Sequence, residues 1–107
     1  MASVSTHVLD AVAGKPAVGM AVTLTGEDGT EIAGGTTDDD GRIGPLAEGL
    51  ATGIHRIRFD TGAWFTDQGV ESFYPEVVIA FRITDAEGHH HVPILLSPFA
   101  FSTYRGS

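Results

Sequence analysis

The sequence predicts an all-β protein, an antiparallel β-sandwich of seven to eight short strands with one short helix. Apolar residues alternate with polar ones at a period of two along most of the chain. Clusters of Gly, Pro and Asp interrupt this alternation at spacings typical of a sandwich. No helix of crossover length separates the strands, and parallel neighbours in a sheet need such a connection. We therefore expect an antiparallel sandwich rather than a parallel sheet.

Four strands are predicted in the first half of the chain. The clearest one has four apolar residues on one face and small or polar residues on the other. These four are Val18, Met20, Val22 and Leu24. Turns at residues 14–17 and 26–29 bracket this strand, because Pro presets φ and Gly tolerates a positive φ. The other three strands are expected at residues 4–12, 32–37 and 42–46.

Four more strands and the helix are predicted in the second half. The strands are expected at residues 53–60, 77–83, 89–96 and 99–104. In the first of them His55 shares its face with Ile57 and Phe59, so we expect His55 to be packed in the core. Residues 61–71 lack a strand period, and residues 66–69 are compatible with a helical turn. One short helix is therefore expected in this segment.

Size and charge limit the classes of function. At 107 residues the chain is expected to form a single domain, 1–107, and to gain stability from association. Its formal charge of −8 argues against nucleic acid or an anionic membrane as a partner. The chain has no cysteine, so neither a disulfide framework nor a thiolate nucleophile is available. The first residues lack a secretory signal and no segment reaches membrane-spanning length, so the expected location is the cytoplasm.

The run His89-His90-His91 is the most obvious candidate for chemistry. Adjacent strand residues point to opposite faces, so His89 and His91 can converge while His90 cannot join them. Two histidines without a Cys or carboxylate motif do not make a metal site, and none is predicted. His91 then remains a single polar group on an otherwise apolar strand. By itself such a histidine is more often a packed or surface residue than a catalyst.

The candidate residues outside this run lie far apart in the sequence. Arg42 follows the acidic turn 38–41. The simplest interpretation is an exposed Arg paired with its acidic neighbours, a contact that adds less than about 1 kcal/mol to the stability of the fold. The last four residues, 104–107, carry a phenol, a guanidinium and a hydroxyl, and they follow a strand-like run without a linker. We therefore expect this tail to be docked rather than frayed. No spacing rule joins His7, Arg42, His91 and Tyr104 into one motif.

Two parts of the sequence resemble signatures of the transthyretin family. The amino-terminal signature is matched by His7-Val8-Leu9-Asp10, by the turn at 14–17 and by the alternation over 18–22. The carboxy-terminal signature is matched by residues 91–103. The resemblance spans essentially the whole chain and implies a transthyretin-like sandwich. Two departures, His90 in place of a usual aromatic residue and Ala100 in place of Gly or Ser, concern local packing.

This family contains hormone carriers and enzymes that hydrolyse 5-hydroxyisourate, so the fold alone does not choose between them. The sequence has His7 where the carriers have Lys, Arg42 where they have an acidic residue, and His91 where they have Thr. It also ends in the tetrapeptide Tyr-Arg-Gly-Ser that is typical of the enzymes. The resemblance thus implies hydrolysis of 5-hydroxyisourate to 2-oxo-4-hydroxy-4-carboxy-5-ureidoimidazoline, a step of urate degradation that needs no cofactor. The alternatives are a non-catalytic carrier of a small aromatic ligand and a structural sandwich module.

The resemblance also implies roles for individual residues. The catalytic residues would be His7, Arg42, His91 and Ser107. The two histidines would activate water, with the base left unassigned between them. Arg42 would stabilise the developing negative charge, and Ser107 with its carboxylate would hold a histidine or the water. Substrate would be bound by His7, Arg42 and Tyr104. The implied assembly is a homotetramer, a dimer of dimers formed through edge strands, with the sites at the dimer–dimer interface.

Overall fold

The computed structural model describes residues 1–107 and contains nine strands and one helix. The strands are β1 (Ala2–Asp10), β2 (Lys15–Pro16), β3 (Ala21–Gly26), β4 (Glu31–Thr36), β5 (Arg42–Leu50), β6 (Gly53–Phe59), β7 (Val77–Ile83), β8 (His89–Ser97) and β9 (Ala100–Thr103). The helix α1 is Thr61–Asp67. Since β2 has only two residues, the eight longer strands agree with the predicted seven to eight.

The strands form two sheets that enclose one apolar core. The first sheet has the order β2-β1-β8-β9, with β5 also paired to β1, and the second has the order β4-β3-β6-β7. Side chains alternate across each sheet, so Val4 and Val8 of β1 and Ile94 of β8 point into the core. His55 is buried as predicted, with its ring beside that of Phe81. The same alternation places the polar residues of β1 and β8 on the outer face of the first sheet.

One strand pair differs from the expected antiparallel pattern. β1 and β8 pair in parallel, from Ser3 opposite His89 to Asp10 opposite Leu96, whereas every other strand pair is antiparallel. Parallel neighbours need a long connection, and here that connection is the chain from β2 to β7, which includes the whole second sheet. A crossover helix is therefore not required. The antiparallel sandwich is confirmed with this one exception.

The boundaries of two elements were set by turns that the periodicity did not reveal. Val18 was predicted to face the core but is 46% exposed, because Gly19 adopts a positive φ and interrupts the alternation before β3 begins. The helix begins at Thr61, before the predicted turn, and buries Phe65. It ends where the amide N–H groups of Gly69 and Val70 bond back to the carbonyls of Thr66 and Phe65. No helix in the structure is long and apolar enough to cross a membrane.

Candidate active site

Three adjacent strands of the first sheet gather the predicted site residues. β5 pairs with β1 so that Arg42 lies opposite His7. β8 pairs with the other side of β1 and places His91 opposite Ser5, two residues from His7. Since His7 and Ser5 lie on the same face of β1, the side chains from all three strands are neighbours on the outer face of the sheet.

Arg42 is positioned by the acidic turn that precedes it. The Asp38 carboxylate accepts hydrogen bonds from the amide N–H groups of Asp40 and Arg42, both at 2.9 Å. The bond from the Arg42 amide is the main cause that holds the pKa of Asp38 below its usual value. Gly41 is buried with φ +75°, and a Cβ there would overlap with the carbonyl oxygen of Val8. The turn thus fixes the backbone at the start of β5.

The Arg42 guanidinium forms none of the ion pairs in the chain. The interpretation of Arg42 as an exposed residue paired with its acidic neighbours is therefore wrong about the pairing. The Asp38 carboxylate is instead engaged by backbone amides. The guanidinium keeps its donors available for an external ligand.

The tautomer of His7 follows from its hydrogen bond. His7 Nε2 lies 2.8 Å from the backbone carbonyl oxygen of Asp40. A carbonyl oxygen only accepts, so Nε2 carries the proton and donates it to Asp40. The turn that positions Arg42 therefore also orients the imidazole of His7.

His91 is half-buried and has a shifted pKa. Its Nδ1 lies 2.8 Å from the hydroxyl oxygen of Ser5. Burial is the main cause that lowers the pKa of His91, and electrostatic repulsion between its charged form and Arg42, His7 and His89 lowers it further. The ordinary value for histidine is near 6.5. The imidazole of His91 is therefore mostly neutral at pH 7 and able to accept a proton.

His89 and His91 converge as the alternation predicted, and they do so through a shared serine. Ser5 Oγ lies 2.8 Å from His89 Nε2 as well as 2.8 Å from His91 Nδ1. His89 Nδ1 lies 2.6 Å from Ser3 Oγ. His90 points to the opposite side and is 4% exposed, without a hydrogen bond to either ring nitrogen. The structure contains no group of three or more His, Cys, Asp or Glu side chains placed to hold a metal ion.

The two serines of this network were missed in the sequence analysis. Their signal is a period of two on β1, in which Ser3, Ser5 and His7 share the outer face. The period alone does not reveal that β8 runs beside them in parallel. Only this register brings Ser5 against His91.

The carboxy-terminal tail is held against β8. The amide N–H of Gly106 donates to the carbonyl oxygen of His91 at 2.9 Å and forms an isolated antiparallel bridge. A Cβ at Gly106 would overlap with Cδ2 of the His91 ring. Glycine therefore allows the tail to pass directly over the imidazole.

Two cavities contact His91. The first, of about 260 Å³, we call the Arg42 cavity, and it is lined by Ser5, Thr6, Arg42, Ile43, Gly44, His89, His91 and Ser107. The second, of about 310 Å³, we call the Tyr104 cavity, and it is lined by Ile79, Phe81, Arg82, His90, His91, Val92, Thr103, Tyr104 and Arg105. Of the tail residues, Ser107 lines the Arg42 cavity, whereas Tyr104 and Arg105 line the Tyr104 cavity.

The structure therefore brings together some of the predicted site residues and separates others. Arg42, His91 and Ser107 line one cavity. His7 lines neither cavity, but it lies opposite Arg42 in the register of the adjacent strands β1 and β5. Tyr104 is 59% exposed and lines the other cavity. A neutral imidazole, a free guanidinium and a hydroxyl around one opening are suited to activating water against a carbonyl group.

The chain is similar over nearly its whole length to proteins of one known family. It matches the model of the HIUase/Transthyretin family over residues 4–106. The chain belongs to this family. A relative in Salmonella typhimurium, named 5-hydroxyisourate hydrolase, is 42% identical over 108 residues, which cover 96% of this chain and 79% of the relative.

Solved structures of this family share the fold closely. The 5-hydroxyisourate hydrolase of Klebsiella pneumoniae is 40% identical with a TM-score of 0.91, covering 98% of this chain and 99% of its own. Sea bream transthyretin in complex with thyroxine is 35% identical with a TM-score of 0.88, covering 97% of this chain and 94% of its own. These neighbours confirm the transthyretin-like fold. Since family members with different functions share it, function must be argued from the site.

Proposed function

We propose that this protein is an enzyme that hydrolyses 5-hydroxyisourate to 2-oxo-4-hydroxy-4-carboxy-5-ureidoimidazoline in urate degradation. The observation that carries the proposal is the Arg42 cavity, in which a free guanidinium and a histidine with a lowered pKa face the same opening. Relatives in bacteria that are 42% and 40% identical bear the name of this hydrolase.

His91 is the general base in this proposal. The sequence left the choice open between His7 and His91. Nε2 of His7 donates to a backbone carbonyl, whereas the pKa of His91 is lowered and its ring borders both cavities. His91 accepts a proton from water as the water oxygen forms a bond to a ring carbonyl carbon. The ring C–N bond then breaks, and the leaving nitrogen takes the proton back from His91.

Arg42 supplies the positive charge that this reaction needs. Attack on the carbonyl places negative charge on its oxygen, and a guanidinium that is not already paired stabilises that charge. His7, beside Arg42, binds the heterocycle, and the Ser107 hydroxyl holds the water or a histidine. Tyr104 contacts the substrate from the opposite side of the tail.

The proposed assembly is a homotetramer in the cytoplasm. Support comes from aromatic residues exposed at one edge of the sandwich, where Phe73 is 70% and Phe99 63% exposed. The ring of Tyr74 contacts those of Phe73 and Phe101 there, each in edge-to-face geometry. An exposed aromatic patch of this kind is typical of an interface. A second copy pairing at this edge would form the dimer, and two dimers would meet over the outer face that carries the site.

The second candidate function is that of a carrier of a small aromatic ligand. It is favoured by the structural similarity to sea bream transthyretin in complex with thyroxine. A carrier binds its ligand in the same fold and leaves it unchanged.

The deciding experiment follows the ultraviolet absorbance of freshly made 5-hydroxyisourate, which also decays spontaneously. We expect catalytic amounts of the protein to accelerate the loss of absorbance. His7→Ala, Arg42→Ala and His91→Ala should each lower turnover at least about a hundredfold, because they remove base catalysis or charge stabilisation. Arg56→Ala, at an exposed arginine of the second sheet, is the matched control and should keep full activity. Decay that is unchanged by stoichiometric protein would refute the hydrolase and favour the carrier.

A further inference from the structure

Four side chains form a continuous series of hydrogen bonds on the outer face of the first sheet. It runs from His91 Nδ1 to Ser5 Oγ at 2.8 Å, from Ser5 Oγ to His89 Nε2 at 2.8 Å, and from His89 Nδ1 to Ser3 Oγ at 2.6 Å. We call this series the serine–histidine chain. Of its four members, only His91 takes part in the reaction as described so far.

The chemistry of a hydroxyl couples the two histidines. Ser5 has a single proton, so it donates to one imidazole nitrogen and must accept from the other. If His91 Nδ1–H donates to Ser5, then Ser5 donates to His89 Nε2, and His89 Nδ1–H donates to Ser3. If the directions are reversed, His91 accepts at Nδ1 and carries its proton on Nε2. The tautomer of His91 is thus tied to that of His89 through Ser5.

The unengaged ring nitrogen of His91 favours the first of these two arrangements for a general base. Arg42 lies in the same cavity, and its positive charge disfavours additional positive charge on His91. A histidine that takes a proton from water needs a ring nitrogen with a lone pair that no other group of the chain already engages. His91 Nε2 forms none of the hydrogen bonds within the chain, since the only one to the ring is at Nδ1. Nδ1–H toward Ser5 and a lone pair at Nε2 is therefore the favoured state.

We propose that Ser5, oriented by His89, is a positioning residue that holds His91 in the Nδ1–H tautomer and leaves Nε2 free to take the proton from water. This inference rests on the proposed function. The carboxylate of a catalytic triad holds its histidine in the same sense, by accepting from the nitrogen that does not react. Here a neutral hydroxyl accepts from His91 Nδ1–H because the same hydroxyl donates its proton in a hydrogen bond to His89 Nε2.

Kinetics of three variants test the positioning role. Ser5→Ala should lower kcat roughly tenfold or more with little change in KM, because the lost acceptor affects proton transfer rather than substrate contacts. Ser5→Thr keeps the hydroxyl on a β-branched side chain suited to a strand and should restore most of kcat. His89→Ala frees the Ser5 proton to turn toward His91 and should lower kcat as well. Ser72→Ala, at a half-buried serine in the loop before β7, is the matched control and should be unchanged.

The tautomer itself is read from the 15N chemical shifts of the imidazole nitrogens of the whole labelled protein without substrate. We expect His91 to be the Nδ1–H form in the wild type and in Ser5→Thr, and a mixture of both forms in Ser5→Ala and His89→Ala. An unchanged tautomer in Ser5→Ala, or full kcat in both Ser5→Ala and His89→Ala, would overturn the positioning role. A wild-type protein without turnover would instead overturn the proposed function, and the nitrogen shifts would still test the coupling between the histidines.

Discussion

At the scale of single residues, the site depends on how one histidine is surrounded. Burial lowers the pKa of His91 most, and Arg42 is the largest contributor among the three neighbours, Arg42, His7 and His89, that lower it further. A lowered pKa keeps the imidazole in its neutral, proton-accepting form when the pH falls below the ordinary histidine value near 6.5. In the proposed reaction, the guanidinium that would stabilise the transition state therefore also keeps the proposed base neutral.

This gives a prediction for pH dependence. In the wild type, kcat/KM should stay level as the pH falls from 8 through about 6.5 and decrease only below that value. The reason is that the lowered pKa of His91 keeps its imidazole neutral down to a lower pH than an ordinary histidine. In Arg42→Gln the titration of His91 should move to higher pH, because one source of positive charge is gone. NMR titration of the His91 ring protons measures this shift without requiring activity.

Arg56→Gln serves as the control for this titration. Arg56 is exposed on the second sheet and is not among the charges that act on His91. The titration of His91 should be the same in this variant as in the wild type. A His91 titration that does not move in Arg42→Gln would show that Arg42 does not act on the base.

At the scale of elements, the tail and strand β8 form one unit. The tail is attached by the bond from the Gly106 amide to the His91 carbonyl, and it passes over the ring of the same residue. Gly106 is not in the left-handed region, so its requirement for glycine comes from the close approach alone. The position of Ser107 in the Arg42 cavity follows from this contact.

Gly106→Ala should therefore displace the tail or the His91 ring and lower turnover at least about tenfold. The free energy of unfolding should fall by only about 1 kcal/mol, since a single backbone hydrogen bond between two half-buried residues is at stake. Urea denaturation and the absorbance assay measure the two effects separately. Gly26→Ala is the control, because a Cβ at that position would meet its nearest atoms at an ordinary 3.5 Å. Equal activity of both variants would remove the tail from the mechanism.

At the scale of the whole molecule, the sandwich has one edge at which three phenylalanines, Phe73, Phe99 and Phe101, are exposed. Phe73 donates its amide hydrogen to the carbonyl oxygen of Pro98, which places this exposed ring beside the turn between β8 and β9. Phe99 and Phe101 follow in that turn and in β9. We expect a second copy to cover this edge.

The whole protein should therefore be a tetramer by size-exclusion chromatography with light scattering. Phe73→Glu places a charge in the expected interface and should shift the protein to smaller species with reduced turnover, because the proposed site between subunits would then be incomplete. Val12→Glu, at a residue 74% exposed in the turn after β1, is the control and should remain tetrameric. A wild-type protein that is a stable monomer with full turnover would contradict this assembly.

Much of the fold was predictable because it depends on local patterns. Strand β7 was predicted at 77–83 and observed at Val77–Ile83, since its apolar alternation lies between clear turns. The convergence of His89 and His91 also followed from the period of a strand. Predictions were less successful where a glycine turn or packing set the boundary, as at Gly19 before β3 and at Phe65 in the helix.

The sequence by itself determined the class of fold, the faces of the strands and, through its resemblance to a family, the residues that we propose for the site. The tertiary structure alone decided how these residues meet. Ser5 and His91 are 86 positions apart, and no local periodicity contains the parallel register that makes them neighbours. Strand pairing over such distances is selected by the packing of two whole sheets, so the partner of His91, its lowered pKa and the path of the tail over its ring emerge only in the folded chain.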